Sequence, residues 1–473
     1  MTRIAAVGGY LPRFRLGADA IAEAWDRYQA SGIDAVAVPD ADEDAVTMAH
    51  AAARQALAVA DRDAGSVARL HVGTTTPPLA EGDLMPRLCS TLGLPEGVMT
   101  ATHTGSTRAG VEALLGGYHA DETALVLAAD CPRGDPDSRL GQAAGAGAAA
   151  VLLAPEGGAP IVETASHVEA YPGTRYRPPG ETETRELGVR TYERDAYRET
   201  LSGAIDRLDT APGTVDAAAL QAPDGDRPYR VADALGIAPA AVEAGVRVAA
   251  TGDLGAASPV FGLVAALADG VDRVLVAGYG GGAGATALLV DTEDPVPAAV
   301  ATPGPEHLSY TAAMRRRGAF GDADVAGGGA HVSLPSWRRT LPQRHRLEAG
   351  ACRSCSAVAF PPAGACQGCG ATEGYDPVTL PTGGEVVATT TIHPGGAPPE
   401  FADQQRRGGV YDSAIVAFEA DGGRTVRVPV QVVVTGDRSI AVGDPVETTV
   451  RRIYTQEGVP RYGVKAVPAE PTG

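Results

Sequence analysis

At 473 residues and a formal net charge of −19, the chain is too acidic to hold nucleic acid through a general basic footprint. Hydrophobic residues make up 44% and aromatics only 5%, which describes globular domains built from Ala, Val, Leu and Gly; the length accommodates about three of them. The sequence has no run of about twenty apolar residues, which excludes a helical membrane span.

From Met1 the chain enters a strand-like segment with no long apolar stretch and small-residue cleavage site, so no secretory signal is expected. Lys465 is the only lysine, and the acid-rich, Ala/Gly-rich composition is of the haloarchaeal type, pointing to a high-GC genome and a salty cytoplasm. Cysteine usage fits the same reducing, cytoplasmic location. Along the first 295 residues the predicted elements run twice through one order. The first pass has a helix over 45–60, a strand over 70–73, a helix ending at Leu94, a buried helix over 107–117, a strand over 124–129 and a glycine-rich return over 145–153. The second has a helix over 197–208, a strand over 217–221, a helix over 231–237, a helix over 257–268, a strand over 273–277 and a return over 282–290. The two returns, Gly145-Ala-Gly147-Ala and Gly282-Ala-Gly284-Ala, are nearly identical. Alternating helices and continuously apolar strands predict buried sheets between helices, here a duplicated α/β/α/β/α arrangement. Gly278-Tyr-Gly280-Gly-Gly-Ala283 loosely fits a dinucleotide fingerprint, but the segment after it reads as a strand, where a pyrophosphate site requires a helix.

Residues 296–334 read as a Pro/Gly-rich connector carrying the basic knot Arg315-Arg-Arg317, and 335–347 as an amphipathic arm with Trp337. Four cysteines follow as Cys352-x₂-Cys355-x₁₀-Cys366-x₂-Cys369, the double-knuckle spacing of a closed, structural four-thiolate Zn²⁺ site; disulfides are the alternative. Cys89 and Cys131 are left over as small buried residues. Beyond them, short strands over 384–393, 413–419, 426–434, 446–454 and 462–467 suit a small all-β barrel of the OB type. The expected domains are 1–160 and 161–325 for the two α/β halves, 335–375 for the arm and zinc ribbon, and 376–470 for the barrel.

With these motifs placed, residues 1–325 resemble the 3-hydroxy-3-methylglutaryl-CoA synthase branch of the thiolase superfamily. The resemblance rests on Val72-Gly-Thr-Thr-Thr-Pro77, Gly105-Ser-Thr-Arg-Ala-Gly-Val-Glu-Ala-Leu114, Leu220-Gln-Ala-Pro-Asp-Gly225, Gly252-Asp-Leu-Gly-Ala and Val274–Gly284. Residues 335–470 resemble the rubredoxin-type zinc ribbon and OB-fold family associated with acyl-CoA. The resemblance implies a duplicated five-layer fold, acyltransferase chemistry on a CoA thioester, mevalonate-type metabolism, a homodimer, and an acetoacetyl-CoA thiolase or related enzyme as partner.

The same resemblance places a nucleophilic cysteine at Thr107, beside Ser106, the base histidine at Leu220 and the acid glutamate at Thr75. It also places a carbonyl-binding asparagine at Asp253 and a further substrate contact at Gly281. A hydroxyl at a helix start is not made nucleophilic by the helix dipole alone and needs an adjacent base. Nucleophile, base and acid are all replaced, so one reading is a catalytically degenerate protein that binds acyl-CoA or a partner enzyme. A second is an active condensing enzyme with a rebuilt site, drawing on Ser106 or Thr107 with His103 and Glu81, or on Cys131. Asp130 and Asp135 read as surface acids and His71 as a near-core histidine; Arg315–Arg317 reads first as part of a solvated connector, and Arg108, Arg133 or that knot are the alternatives for meeting CoA phosphates. Nucleic-acid binding through the barrel is disfavoured, because its few aromatics (Phe401, Tyr411, Phe418, Tyr454 and Tyr462) sit among arginines offset by acids.

Overall fold

The computed structural model describes residues 2–302, 305–321, 334–393, 395–396, 398–420, 423–433 and 440–469. The connector over 322–333, the expected domain ends at 325 and 470, and the strand end at Val434 lie outside the described residues. The chain forms two compact units: Met1–Asp40, Asp44–Cys89 and Leu94–Ala313 make the first, and Ala41–Glu43, Ser90–Gly93 and Met314–Gly473 the second.

The first unit carries the duplication. Its first half contributes β1 (Arg3–Tyr10), α1 (Ala45–Val59), β2 (Arg69–Gly73), β3 (Met99–His103), α2 (Ala109–Tyr118), β4 (Ala124–Asp130) and β5 (Gly147–Ala154). The second contributes β6 (Ala159–Tyr171), α3 (Arg190–Ile205), β7 (Ala217–Leu220), α4 (Ser258–Ala268), β8 (Arg273–Gly280) and β9 (Gly282–Asp291). Strand order is β3-β2-β4-β5-β1 in one half and β7-β8-β9-β6 in the other. The senses of pairing repeat as well. β2 and β4 are parallel (His71↔Val126), as are β7 and β8 (Leu275↔Ala218); β4–β5 and β8–β9 are antiparallel (Leu127↔Ala150, Val276↔Leu288). The near-identical glycine-rich returns become β5 and β9, the same strand of each half.

Apolar residues on both faces of β4 and β5 leave no side for water, and every residue of both strands is buried. The returns are Ala-rich because helices pack on each face. α1 covers β1, β4 and β5 from one side, and α3 covers β6 and β9 from the other. α2 and α4 lie between the sheets and touch strands of both halves. This gives the five layers. The middle layer is tight: a Cβ on Gly110 of α2 would stand 1.9 Å from the carbonyl oxygen of Ala256, just ahead of α4. Val111 and Leu114 of α2 and Val260 and Leu263 of α4 share one core with Val151, Val276 and Leu288.

In the second unit, β10 (Glu348–Cys352), β11 (Val358–Ala359) and β12 (Tyr375–Thr379) form a three-stranded sheet, and β13 (Gly383–Ile392), β14 (Tyr411–Ala420), β15 (Arg424–Gln431), β16 (Pro445–Gln456) and β17 (Val459–Pro468) an antiparallel one. The five strands run β15-β14-β13-β16-β17, and a parallel bridge between Val432 and Ala466 brings the two ends of that order together, making the sheet barrel-like. Val386, Val416, Phe418, Val428 and Val446 fill its interior. Among the described residues no helix is long and apolar enough to cross a membrane.

Candidate functional site

Strand ends and helix starts of the two halves bring the sequence-picked residues together. Thr107 sits just before α2, 2% exposed, and its hydroxyl donates to the backbone carbonyl of Tyr279 at 2.5 Å. That places the end of β8 against the start of α2. Ser106 lies on the same seam, where the Cβ that Gly280 lacks would fall 2.5 Å from Ser106 Oγ. Neither hydroxyl faces a histidine. His103 points to the middle of α2, where it stacks on His71 with the nitrogens 3.3 Å apart, alongside Gly116. Gly116 lies nine residues beyond Thr107, roughly 13 Å along a helix. Burial, then His103 and Arg69, pushes His71 down to about 4, and burial lowers His103 too. Glu81 is exposed.

Thr75 is committed elsewhere. Its hydroxyl donates to Asp130 Oδ2 at 2.7 Å and its N–H to Oδ1 at 2.7 Å. Thr74 and Thr76 donate to the same carboxylate through their hydroxyls, and Ala256 N–H completes the shell at 2.7 Å. Asp130 is therefore not the surface acid its sequence position suggested but fully buried at 0% exposure, tying the first strand motif to the loop before α4. Such saturation by hydroxyls and backbone N–H groups is how a carboxylate survives burial without a cation.

In the third motif, Leu220 turns into the apolar core beside Tyr197, Val231 and Tyr279. The polar reach belongs to its neighbour Gln221, 1% exposed, whose amide nitrogen donates to Gly255 O at 3.0 Å and lies 3.4 Å from Asp253 Oδ1. Asp253 is 2% exposed, accepts from Gly255 N–H at 2.9 Å, and pairs with Arg175 Nη1 at 2.5 Å. Neither Gln221 nor Arg175 was singled out by sequence reasoning. Gln221 was legible as the polar residue of its motif; Arg175 carries no local signal. Gly281 packs against the backbone of Arg175, where a Cβ would come 2.4 Å from the carbonyl oxygen. Cys131 is half-buried, and its N–H donates to Thr76 Oγ1 at 2.9 Å.

The cysteines make a second constellation, in the second unit. Both knuckles fold alike: Cys352 N–H donates to Ala357 O and Cys366 N–H to Ala371 O, each at 2.8 Å. The four Sγ atoms lie within 4.8 Å of one another, with Cys352–Cys369 at 3.8 Å and Cys355–Cys366 at 3.6 Å. Tetrahedral Zn–S bonds of about 2.3 Å place sulfurs about 3.8 Å apart, so the set fits zinc. The N–H groups of Cys369 and Gly368 hold the Cys366 thiol down to about 7, favouring the thiolate a metal needs.

No protein-family model matches the chain. Over 302 residues, 60% of this chain, it is 31% identical to the hydroxymethylglutaryl-CoA synthase of Methanopyrus kandleri and covers 86% of that protein. Against the hydroxymethylglutaryl-CoA synthase of Caldivirga maquilingensis identity is 30% over 319 residues, 62% of this chain and 88% of that one. Among solved structures, an HMG-CoA synthase complexed with CoA aligns at a TM-score of 0.58 and 17% identity over 71% of this chain and 95% of that one. MvaS in complex with 3-hydroxy-3-methylglutaryl coenzyme A aligns at 0.57 and 20% over 70% of this chain and 95% of its own. These structural likenesses show the shared fold.

Proposed function

The chain belongs to the hydroxymethylglutaryl-CoA synthase family, and from that premise we propose that it binds an acyl-CoA thioester without turning it over. In this reading it is a catalytically degenerate binding or scaffold protein of mevalonate-type acyl-CoA metabolism. The carrying observation is Thr107: the residue at the nucleophile position is buried and spends its proton on a backbone carbonyl, with no base hydrogen-bonded to it among the described residues. A general base must lie within hydrogen-bond distance of the proton it removes. Leu220 offers no such group, and Gln221 offers an amide, which takes no proton at neutral pH. Thr75, at the acid position, gives its hydroxyl to Asp130.

The four-thiolate set supports a structural zinc ion, and the nearly closed order of β13–β17 supports an OB-type barrel. We assign it no catalytic part: four cysteines fill a tetrahedral site and leave no open ligand position. A cytoplasmic homodimer, and recruitment of a thiolase-fold partner by the second unit, complete the proposal. The structures of relatives with CoA and with 3-hydroxy-3-methylglutaryl coenzyme A are the precedent for the ligand class.

Incubation with acetyl-CoA and acetoacetyl-CoA tests the reading. The expected outcome is saturable binding by calorimetry with no release of free CoA and no acyl adduct by mass spectrometry. Turnover, or an adduct on Ser106, Thr107 or Cys131, would replace it with the active, rebuilt enzyme.

A further inference from the structure

Between β6 and α3, residues 172–189 form a strap across the site. Tyr176 and Arg185 exchange backbone hydrogen bonds at 2.9 and 2.8 Å, which folds the strap on itself. Thr174 Oγ1 accepts from Gly282 N–H at 3.1 Å and lies 3.3 Å from Tyr279 OH. Arg177 donates to the backbone carbonyl of Thr75, and Thr184 N–H to Arg133 O at 2.8 Å. Arg175 lies over Gly281 and pairs with Asp253. The strap thus engages three of the four substrate-binding positions implied by the family: Thr75, Asp253 and Gly281.

The chemistry at Asp253 is altered in a specific way. An asparagine there would donate an N–H to a ligand carbonyl; a carboxylate can only accept, and it repels carbonyl oxygens and anions. Arg175 reverses that. Its guanidinium neutralises Asp253 through Nη1, a pair that engages neither Nε nor Nη2. The pair is held deep, with side-chain exposures of 14% for Arg175 and 3% for Asp253, so the arginine retains access while the acid does not. A guanidinium anchored through one nitrogen keeps donors in a rigid fork, the geometry that selects carboxylates over neutral groups.

We propose that Arg175, anchored by Asp253, is the residue that sets ligand specificity, and that the ligand is an acyl-CoA thioester whose acyl group ends in a carboxylate. This rests on the reading of the first unit as a thioester-binding site, and the test separates the two. Succinyl-CoA and butyryl-CoA have acyl chains of equal length and differ in the terminal carboxylate. Titration calorimetry on the full chain is expected to show succinyl-CoA binding about tenfold more tightly. Removing Arg175 alone would strand a buried carboxylate and endanger folding, so the informative variant is the double Arg175→Met, Asp253→Asn, which removes both charges. It is expected to bring the two affinities within about threefold. Equal affinities in the unaltered chain, or a preference that survives the double substitution, would overturn the assignment of Arg175 and leave thioester binding standing. Binding of neither thioester would overturn both.

Discussion

Thr107 offers a hydroxyl at the start of a helix, and a hydroxyl keeps its proton there unless a base takes it. Its partner is a carbonyl, which only accepts. The buried charges of the molecule obey a similar economy. Asp130 is hydrogen-bonded by hydroxyls and N–H groups, whereas Asp253 takes a guanidinium. In the second unit Asp42 faces the buried Lys465 at 2.7 Å; burial pushes its carboxyl up, but Lys465 and Arg451 hold it below the ordinary range. His345 differs, a buried titratable group with neighbours of like sign. Burial first, then Arg346 and Arg344, pushes it down to about 4, while its Nδ1 lies 2.8 Å from Ser90 Oγ. Below its ordinary pKa of about 6.5 the unfolded chain takes up a proton that the folded chain refuses. Stability of the second unit should therefore fall as pH drops from about 6.5 to about 4, by up to about 3 kcal/mol. Thermal melts at pH 7 and pH 4.5 read this out, and His345→Gln should flatten the part of the dependence that belongs to this residue.

At the level of elements, the middle layer sets the tolerance of the fold. α2 meets the turn before α4 where Gly110 lacks a side chain, against Ala256 O. A methyl there has nowhere to go, because the obstructing atom is backbone. Gly110→Ala should cost about 3 kcal/mol or more, seen as a lower denaturation midpoint at unchanged m-value. Gly105 is the contrasting case: its φ of +92° demands glycine for conformation, and nothing lies near its missing Cβ. Strand periodicity made these elements legible. The helix expected over 107–117 is Ala109–Tyr118 and the strand over 273–277 extends to Gly280. The strap left no such trace, since beyond the Tyr176–Arg185 pair its bonds run to distant segments such as Thr75, Arg133 and Asp253.

For the whole molecule, two compact units imply two sources of stability. The first has a large apolar core shared by two half-sheets. The second has a small barrel core and a four-cysteine cluster on short strands, which a bound metal would stabilise. Scanning calorimetry should resolve a transition that a strong chelator lowers, and Cys352→Ser should lower the same one, leaving the first unit's transition in place. Elemental analysis should find one zinc per chain.

The four thiols, the repeated α/β order and the hydroxyl residues at Thr107 and Thr75 were determined by the sequence itself, because each is a matter of spacing or identity within a short window. Only the tertiary structure decided that Asp130 is buried beneath three threonines, that the Gln221 amide reaches Gly255 O, and that Arg175 meets Asp253 from 78 residues away. Pairings of that kind follow from where strand ends and loops converge, which no local period encodes. In this chain they bring a guanidinium against a carboxylate that would otherwise be buried without a cation.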